Sequence, residues 1–114
     1  MPSLAIVICT FNRPDLLVRV LESIARLHDK KHASLSVVVV DNSDESNAFP
    51  AAETMRQDLG CPLTVIEAHP ANISIARNAG VQAAGSVGLL AFIDDDQELS
   101  PDWLTAVLAA EKTY

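Results

Sequence analysis

Three consecutive aspartates, Asp94-Asp95-Asp96, directly follow an apolar run and are the residues of this sequence best suited to chemistry. Adjacent carboxylates repel one another, so without a partner they cost stability or raise a pKa. A hard divalent cation removes the repulsion, because Mg²⁺ and Mn²⁺ take oxygen ligands and often combine one or two carboxylates with substrate phosphates. The first and third residues of a loop can point to a common side, which predicts Asp94 and Asp96 as the metal-binding pair. The alternative is a solvated acidic turn before a helix.

Asp41 is a second candidate, because it follows the four valines at residues 37–40. A carboxylate at the end of a buried strand can accept hydrogen bonds from ribose hydroxyls or from the edge of a base. The alternative is a turn formed within Asp41-Asn42-Ser43, in which the side chain caps its own backbone.

Arg77 is one of only two basic residues in positions 57–114, and the pattern places it in the first turn of a helix. An arginine beside the free N–H groups of a helix N-terminus suits a phosphate. The alternative is a surface salt bridge, which is the commoner role of an arginine. For its neighbour Asn78, the commoner role of such a residue is a hydrogen bond to a nearby loop.

The elements that must position these residues alternate regularly along the chain. Continuous apolar runs predict buried strands at residues 4–9 and 35–40, and further strands are predicted at residues 63–68 and 87–93. Helical spacing of apolar residues predicts helices at residues 16–27, 50–59 and 74–84, and a last helix from Ser100. We expect Asn12 to cap the first helix. This β-α alternation predicts an α/β fold with a parallel sheet of about four strands and helices on both faces. Ligands of such sheets bind at the carboxyl ends of the strands.

Composition limits the classes of function. The 114 residues fit one domain, with a net charge of −7 that lies mostly in the second half. An acidic chain is poorly suited to nucleic acid, which requires clustered Lys and Arg. No run reaches the length of a membrane span, and no secretion signal is visible, so we expect a cytoplasmic protein. Cys9 and Cys61 form no metal or disulfide pattern. The dinucleotide fingerprint, the P-loop and the hydrolase nucleophile elbow are also absent from the sequence.

Four segments, in order and each after a predicted strand, resemble the N-terminal half of a family 2 glycosyltransferase, which has a Rossmann-like GT-A fold. They are VICTFNR at residues 7–13, VVVVDNS at 37–43, NISIARNAG at 72–80 and FIDDDQELSPDWL at 92–104. The resemblance implies that residues 1–114 bind a nucleotide-diphosphate sugar of the UDP or GDP type, for inverting transfer to an acceptor hydroxyl.

The resemblance also implies roles for individual residues. Those expected to contact the nucleotide sugar are Thr10, Phe11, Asn12, Asp41, Arg77, Asn78, Asp94 and Asp95. The aspartate triplet covers the family's DXD element, in which one aspartate reaches the ribose and the last coordinates Mg²⁺ or Mn²⁺ on the diphosphate. Asp94 and Asp96 are the expected metal ligands.

The part of the family that carries the acceptor site and the general base has no counterpart in these residues, and no base is assigned. The resemblance implies an acceptor glycan or lipid bound through that other half, at the cytoplasmic face of a membrane. An uncovered sheet edge would favour self-association.

Two alternatives keep the α/β fold. A nucleotidyltransferase requires a basic, glycine-rich loop after the first strand, where residues 10–15 offer one arginine and no glycine. A receiver-type signalling domain requires a pair of acids at that position, where Cys9 and Thr10 stand.

Overall fold

The computed structural model describes residues 2–113, without the side chains of residues 112 and 113. Its strands are β1 (Ser3–Thr10), β2 (Ser34–Asp41), β3 (Leu63–Glu67) and β4 (Leu89–Asp94). Its helices are α1 (Pro14–Ala25), α2 (Ala48–Glu53), α3 (Arg56–Leu59), α4 (Ile73–Ala84) and α5 (Trp103–Thr113), with a short 3-10 helix at Lys30–His32. In the part of the chain described, no helix is long and apolar enough to cross a membrane.

All four strands are parallel and form one sheet in the order β3-β2-β1-β4, which confirms the predicted α/β architecture. The chain builds the sheet outward from β1 to β3 and then returns to place β4 on the other side of β1. The strand order therefore reverses between β1 and β4, where sheets of this kind leave a crevice for a ligand. Cys9 pairs with Asp94 in this register, so Thr10 and the aspartate triplet leave the sheet side by side.

The two faces of the sheet are covered unequally. The larger core lies against α1, α2, α3 and α5, and includes Leu4, Ile6 and Ile8 of β1. The smaller core lies under α4 alone and is built from Val7, Val38, Val40, Ala68 and Ala76. Residues of β4 on the second face are consequently left open: Leu90 and Phe92 are 36% and 43% exposed.

Helix α4 can lie close to β1 because its buried residues are only Ala76 and Gly80. A Cβ at Gly80 would overlap Cγ1 of Val7 and would lie 3.3 Å from Cγ2 of Val40. A larger residue at this position would push the helix away from the sheet.

Several predicted boundaries were wrong by a few residues. Helix α1 begins at Pro14 with Arg13 at its N-cap position, whereas Asn12 adopts a left-handed backbone (φ 53°) and does not cap the helix. Strand β4 begins at Leu89, because the N–H of Gly88 donates to Ser3 Oγ instead of joining the ladder. The single helix expected at 50–59 is two, α2 and α3, and the last helix begins at Trp103.

Helix α4 begins at Ile73, because Asn72 caps it: its side chain accepts hydrogen bonds from the N–H groups of Ser74 and Ile75. Arg77 is therefore the fifth residue of the helix and lies in its second turn, not in the first turn as predicted.

Candidate functional site

An open cleft of about 210 Å³ lies at the carboxyl ends of β1 and β4, at the point where the strand order reverses. Its walls come from four separate parts of the chain. The lining residues are Cys9, Thr10, Phe11, Arg13, Asn42, Ile73, Asp94, Asp95 and Asp96. Five of the predicted site residues (Thr10, Phe11 and the three aspartates) are therefore brought together here.

Asp95 is the anchored member of the triplet, and its residue is only 5% exposed. Thr10 Oγ1 donates a 2.8 Å hydrogen bond to Asp95 Oδ2, and an Arg13 guanidinium nitrogen lies 3.2 Å from Asp95 Oδ1. Both carboxylate oxygens thus have a donor, and the arginine compensates the buried negative charge. This network fixes the loop after β4 to the end of β1.

Asp94 and Asp96, on either side of Asp95, are exposed at the cleft. The backbone is held in a turn, because the Asp94 N–H donates to Gln97 Oε1 and the Gln97 N–H donates to the Asp94 carbonyl. Two exposed carboxylates fit a divalent cation that takes its other ligands from phosphate or water. Among the residues the structure describes, no group of three or more His, Cys, Asp or Glu could hold a metal by itself.

Asp41 is 1% exposed and its carboxylate is used within the protein. Oδ1 accepts from the backbone N–H and the hydroxyl of Ser43, at 2.9 and 2.6 Å, and Oδ2 accepts from the N–H of Ala48 at 3.1 Å. These contacts are those of the turn-forming alternative, and they also support the start of α2. Asp41 does not line the cleft, so its contact with a nucleotide stays a prediction.

Asn42, the next residue, lines the cleft where Asp41 does not. Its amide nitrogen donates to the carbonyls of Ala68 (2.6 Å) and Pro70 (3.2 Å), and its amide oxygen accepts from the N–H of Asn72 (2.9 Å). Asn42 therefore ties the end of β2 to the segment between β3 and α4.

Arg77 and Asn78 lie on the exposed side of α4 and do not line the cleft. In residues 2–113, Arg77 forms no salt bridge; instead its guanidinium carbon lies 5.6 Å from the centroid of the Phe92 ring. Its charge nevertheless reaches the cleft. Burial raises the pKa of the Cys9 thiol, and the positive charge of Arg77 partly opposes that effect.

Phe11 and Asn12 form an exposed segment beside the cleft. Phe11 is 49% exposed and lines the cleft. Asn12 does not line it, and its amide oxygen lies 3.4 Å from the amide nitrogen of Asn47. The ring of Phe11 offers a flat apolar surface at the entrance.

Four lining residues were not predicted as site residues: Cys9, Arg13, Asn42 and Ile73. Each had a signal in the sequence, since Cys9, Arg13 and Asn42 lie at or after strand ends. Ile73 comes directly after a polar loop, and only the structure shows that it is 55% exposed at the cleft.

Comparison with known proteins gives consistent results. The family described as "Glycosyl transferase family 2" matches residues 5–112. The chain is 38% identical over 107 residues to the succinoglycan biosynthesis protein ExoM of Rhizobium meliloti (strain 1021), covering 93% of this chain and 34% of that protein. It is 32% identical over 109 residues to the validoxylamine A glucosyltransferase of Streptomyces hygroscopicus subsp. limoneus, covering 96% of this chain and 24% of that protein. The chain thus spans between about a quarter and a third of the length of these relatives.

Solved structures share the fold. A structure of S. aureus TarS (residues 1–349) superposes with a TM-score of 0.84 at 19% identity, over 97% of this chain and 32% of that one. The same TarS fragment in complex with UDP has a TM-score of 0.80 at 22% identity, over 97% of this chain and 32% of that one. The mannosyltransferase PcManGT of Pyrobaculum calidifontis, in complex with GDP-Man and Mn²⁺, has a TM-score of 0.79 at 21% identity, over 94% of this chain and 31% of that one.

The family match covers nearly the whole chain, and the aspartate triplet lies where the fold leaves its crevice. This chain belongs to glycosyl transferase family 2.

Proposed function

We propose that residues 1–114 form the donor-binding half of an inverting glycosyltransferase and bind a nucleotide-diphosphate sugar at the cleft between β1 and β4. The observation that carries the proposal is the convergence of Thr10, Phe11 and the three aspartates at the strand-order reversal. Family membership supports it. The complexes of TarS with UDP and of PcManGT with GDP-Man support it further, because this chain shares their fold.

The residues of the cleft have different roles in the proposed binding of the donor. Phe11 presents an exposed ring against which a planar base can pack. Thr10 and Arg13 hold Asp95, and Asp95 holds the loop so that Asp94 and Asp96 face the cleft. A nucleotide diphosphate would lie across the two strand ends, with its phosphates toward the exposed aspartates.

Asp94 and Asp96 would hold Mg²⁺ or Mn²⁺. A divalent cation bound there would neutralise the negative charge that develops on the leaving diphosphate. Two negatively charged side chains would otherwise repel the phosphates, so the proposal explains why carboxylates line a site for an anion.

We assign the general base to no residue of this chain. Asp95 is buried and engaged by Thr10 and Arg13, and Asp94 and Asp96 are assigned to the metal. In the proposal, the acceptor, a glycan or a lipid, is bound by another part of the enzyme.

The two alternatives, a nucleotidyltransferase and a receiver-type signalling domain, gain no support from the residues after β1. The loop between β1 and α1 has no glycine to cradle a triphosphate, and β1 ends in Cys9 and Thr10 in place of the acid pair of a receiver.

The proposal is tested by calorimetric titration of the protein with UDP and GDP, with and without Mn²⁺. We expect binding that depends on the metal, and an affinity at least roughly tenfold lower in Asp96→Asn, because losing even an outer partner of a metal ligand costs about that much. Asp58→Asn is the matched control, because Asp58 is an exposed carboxylate on α3. Helix α3 leads into the amino end of β3, whereas the cleft lies at the carboxyl ends of the strands. Binding that ignores both Mn²⁺ and Asp96 would contradict the metal role. Absence of binding to either nucleotide would contradict the donor site.

A further inference from the structure

Phe92 is an aromatic residue that the fold leaves unburied. It lies on β4 two residues before Asp94 and on the same face of the sheet, and it is 43% exposed. Helix α4 covers β1 and β2 on this face but leaves β4 open. The contact that the ring makes with a charged group is with Arg77, whose guanidinium carbon lies 5.6 Å from the ring centroid.

Arg77 is a cation that lies on this face of the sheet, over the ring of Phe92. Arg13, the arginine that lines the cleft, is already paired with Asp95. Arg77 has no carboxylate partner within residues 2–113, and its charge acts on Cys9, which lines the cleft beside Asp94. An arginine side chain has many rotamers, and ordering it costs free energy at the moment a ligand binds.

We propose that Phe92 is a positioning residue for the donor site: its ring holds the Arg77 guanidinium beside the cleft, so that the cation is ordered before the nucleotide diphosphate arrives. This inference rests on the proposed function. The face of an aromatic ring attracts a cation through its quadrupole, and β4 is fixed to β1 by the parallel ladder. The rigid strand that ends in the aspartates therefore also sets the place of the arginine.

Burial does not explain why residue 92 is aromatic, whereas the position of its ring beneath the Arg77 guanidinium does. Leu90, two residues earlier on the same face, is exposed to a similar degree but has no aromatic ring to offer a cation. Leu90 therefore provides a control that shares the strand, the face and the exposure of Phe92.

The experiment is a double-mutant cycle between Phe92 and Arg77, read out as the affinity for UDP and GDP in the presence of Mn²⁺. We expect Phe92→Leu to weaken binding by roughly two- to fivefold, which is the range of an exposed cation–π pair. Phe92→Tyr keeps the ring face and should retain the wild-type affinity. In an Arg77→Met background, Phe92→Leu should cause no further loss.

Leu90→Ala should leave the affinity for UDP and GDP unchanged. This control distinguishes the role of the Phe92 ring from a general effect of shortening an apolar side chain on the open face of β4. The inference is overturned if Phe92→Leu binds as well as wild type, if Phe92→Tyr fails to restore binding, or if Phe92→Leu weakens binding equally without Arg77. Failure of the wild-type protein to bind either nucleotide would instead overturn the proposed function, and this inference with it.

Discussion

Thr10 Oγ1, at the end of β1, donates a 2.8 Å hydrogen bond to Oδ2 of Asp95, which follows β4 and lies 85 residues later in the chain. Both residues are buried, at 4% and 5% exposure. The bond joins the two strands at the place where the strand order reverses, so the shape of the cleft depends on it.

Thr10→Val should therefore destabilise the fold, because it keeps the side-chain shape and removes the donor to a buried carboxylate. We expect the free energy of unfolding to fall by about 1–3 kcal/mol, the usual cost of leaving such a group unpaired. Urea denaturation measures this change. Thr10→Ser keeps the hydroxyl and should recover most of the stability. Equal stability of the valine and serine variants would show that the bond does not hold the loop.

Asn42→Ala should destabilise the junction between β2 and the segment before α4. The change removes two hydrogen bonds donated to carbonyls and one accepted from a backbone N–H. We expect a loss of about 1–3 kcal/mol in the free energy of unfolding, measured by urea denaturation. Asn47→Ala is the control, since its contact with Asn12 is exposed and 3.4 Å long, and it should change stability by less than about 0.5 kcal/mol. Similar losses in both variants would contradict the role given to Asn42.

Gly80→Ala should destabilise the protein although alanine is the better helix former. The gain in helix propensity is about 1 kcal/mol, whereas forcing a methyl into a packed contact with Val7 costs typically about 1–3 kcal/mol. Thermal unfolding of Gly80→Ala, Val7→Ala and the double variant tests this. We expect the double variant to be more stable than the sum of the single changes predicts, because Val7→Ala vacates the space. Strict additivity would argue against the contact.

Cys9 and Cys61 should react slowly with iodoacetamide at neutral pH. Burial raises the pKa of both thiols, so the reactive thiolate forms only at higher pH and the alkylation rate should rise steeply above the ordinary thiol range. Adding UDP or GDP with Mn²⁺ should slow the alkylation of Cys9, which lines the cleft. Cys61, before β3, serves as the internal control, and mass spectrometry distinguishes the two. Equal protection of both cysteines would show that the nucleotide does not bind at the cleft.

The strands were predictable because each contains an apolar run, which is typical of a parallel sheet with helices on both faces, although the second face of β4 is open. The meeting of Thr10 with the aspartates was also predictable, since parallel strands bring their carboxyl ends to one edge. The start of β4 was not, because Val87 is as apolar as the strand itself and only the Gly88 contact with Ser3 Oγ shows where pairing begins.

The roles of individual polar side chains were harder to predict than the fold. Asp41 and Asn42 are neighbours of similar type, yet one is used in a turn and the other lines the cleft. Which way each points depends on Ser43, Ala48 and the segment after β3, and spacing along the chain does not contain that information. The pairing of Arg13 with Asp95 is likewise a contact between distant segments.

The order β3-β2-β1-β4 has a thermodynamic consequence. Because β4 is held mainly by β1, a ligand that contacts both Thr10 and Asp94 would connect the first strand to the last one without a covalent bond. Such a ligand binds only the folded chain, so at a free concentration L it would raise the free energy of unfolding by RT ln(1 + L/Kd). Donor binding and the folding of this domain would then be linked equilibria, so that a measured change in one would report on the other.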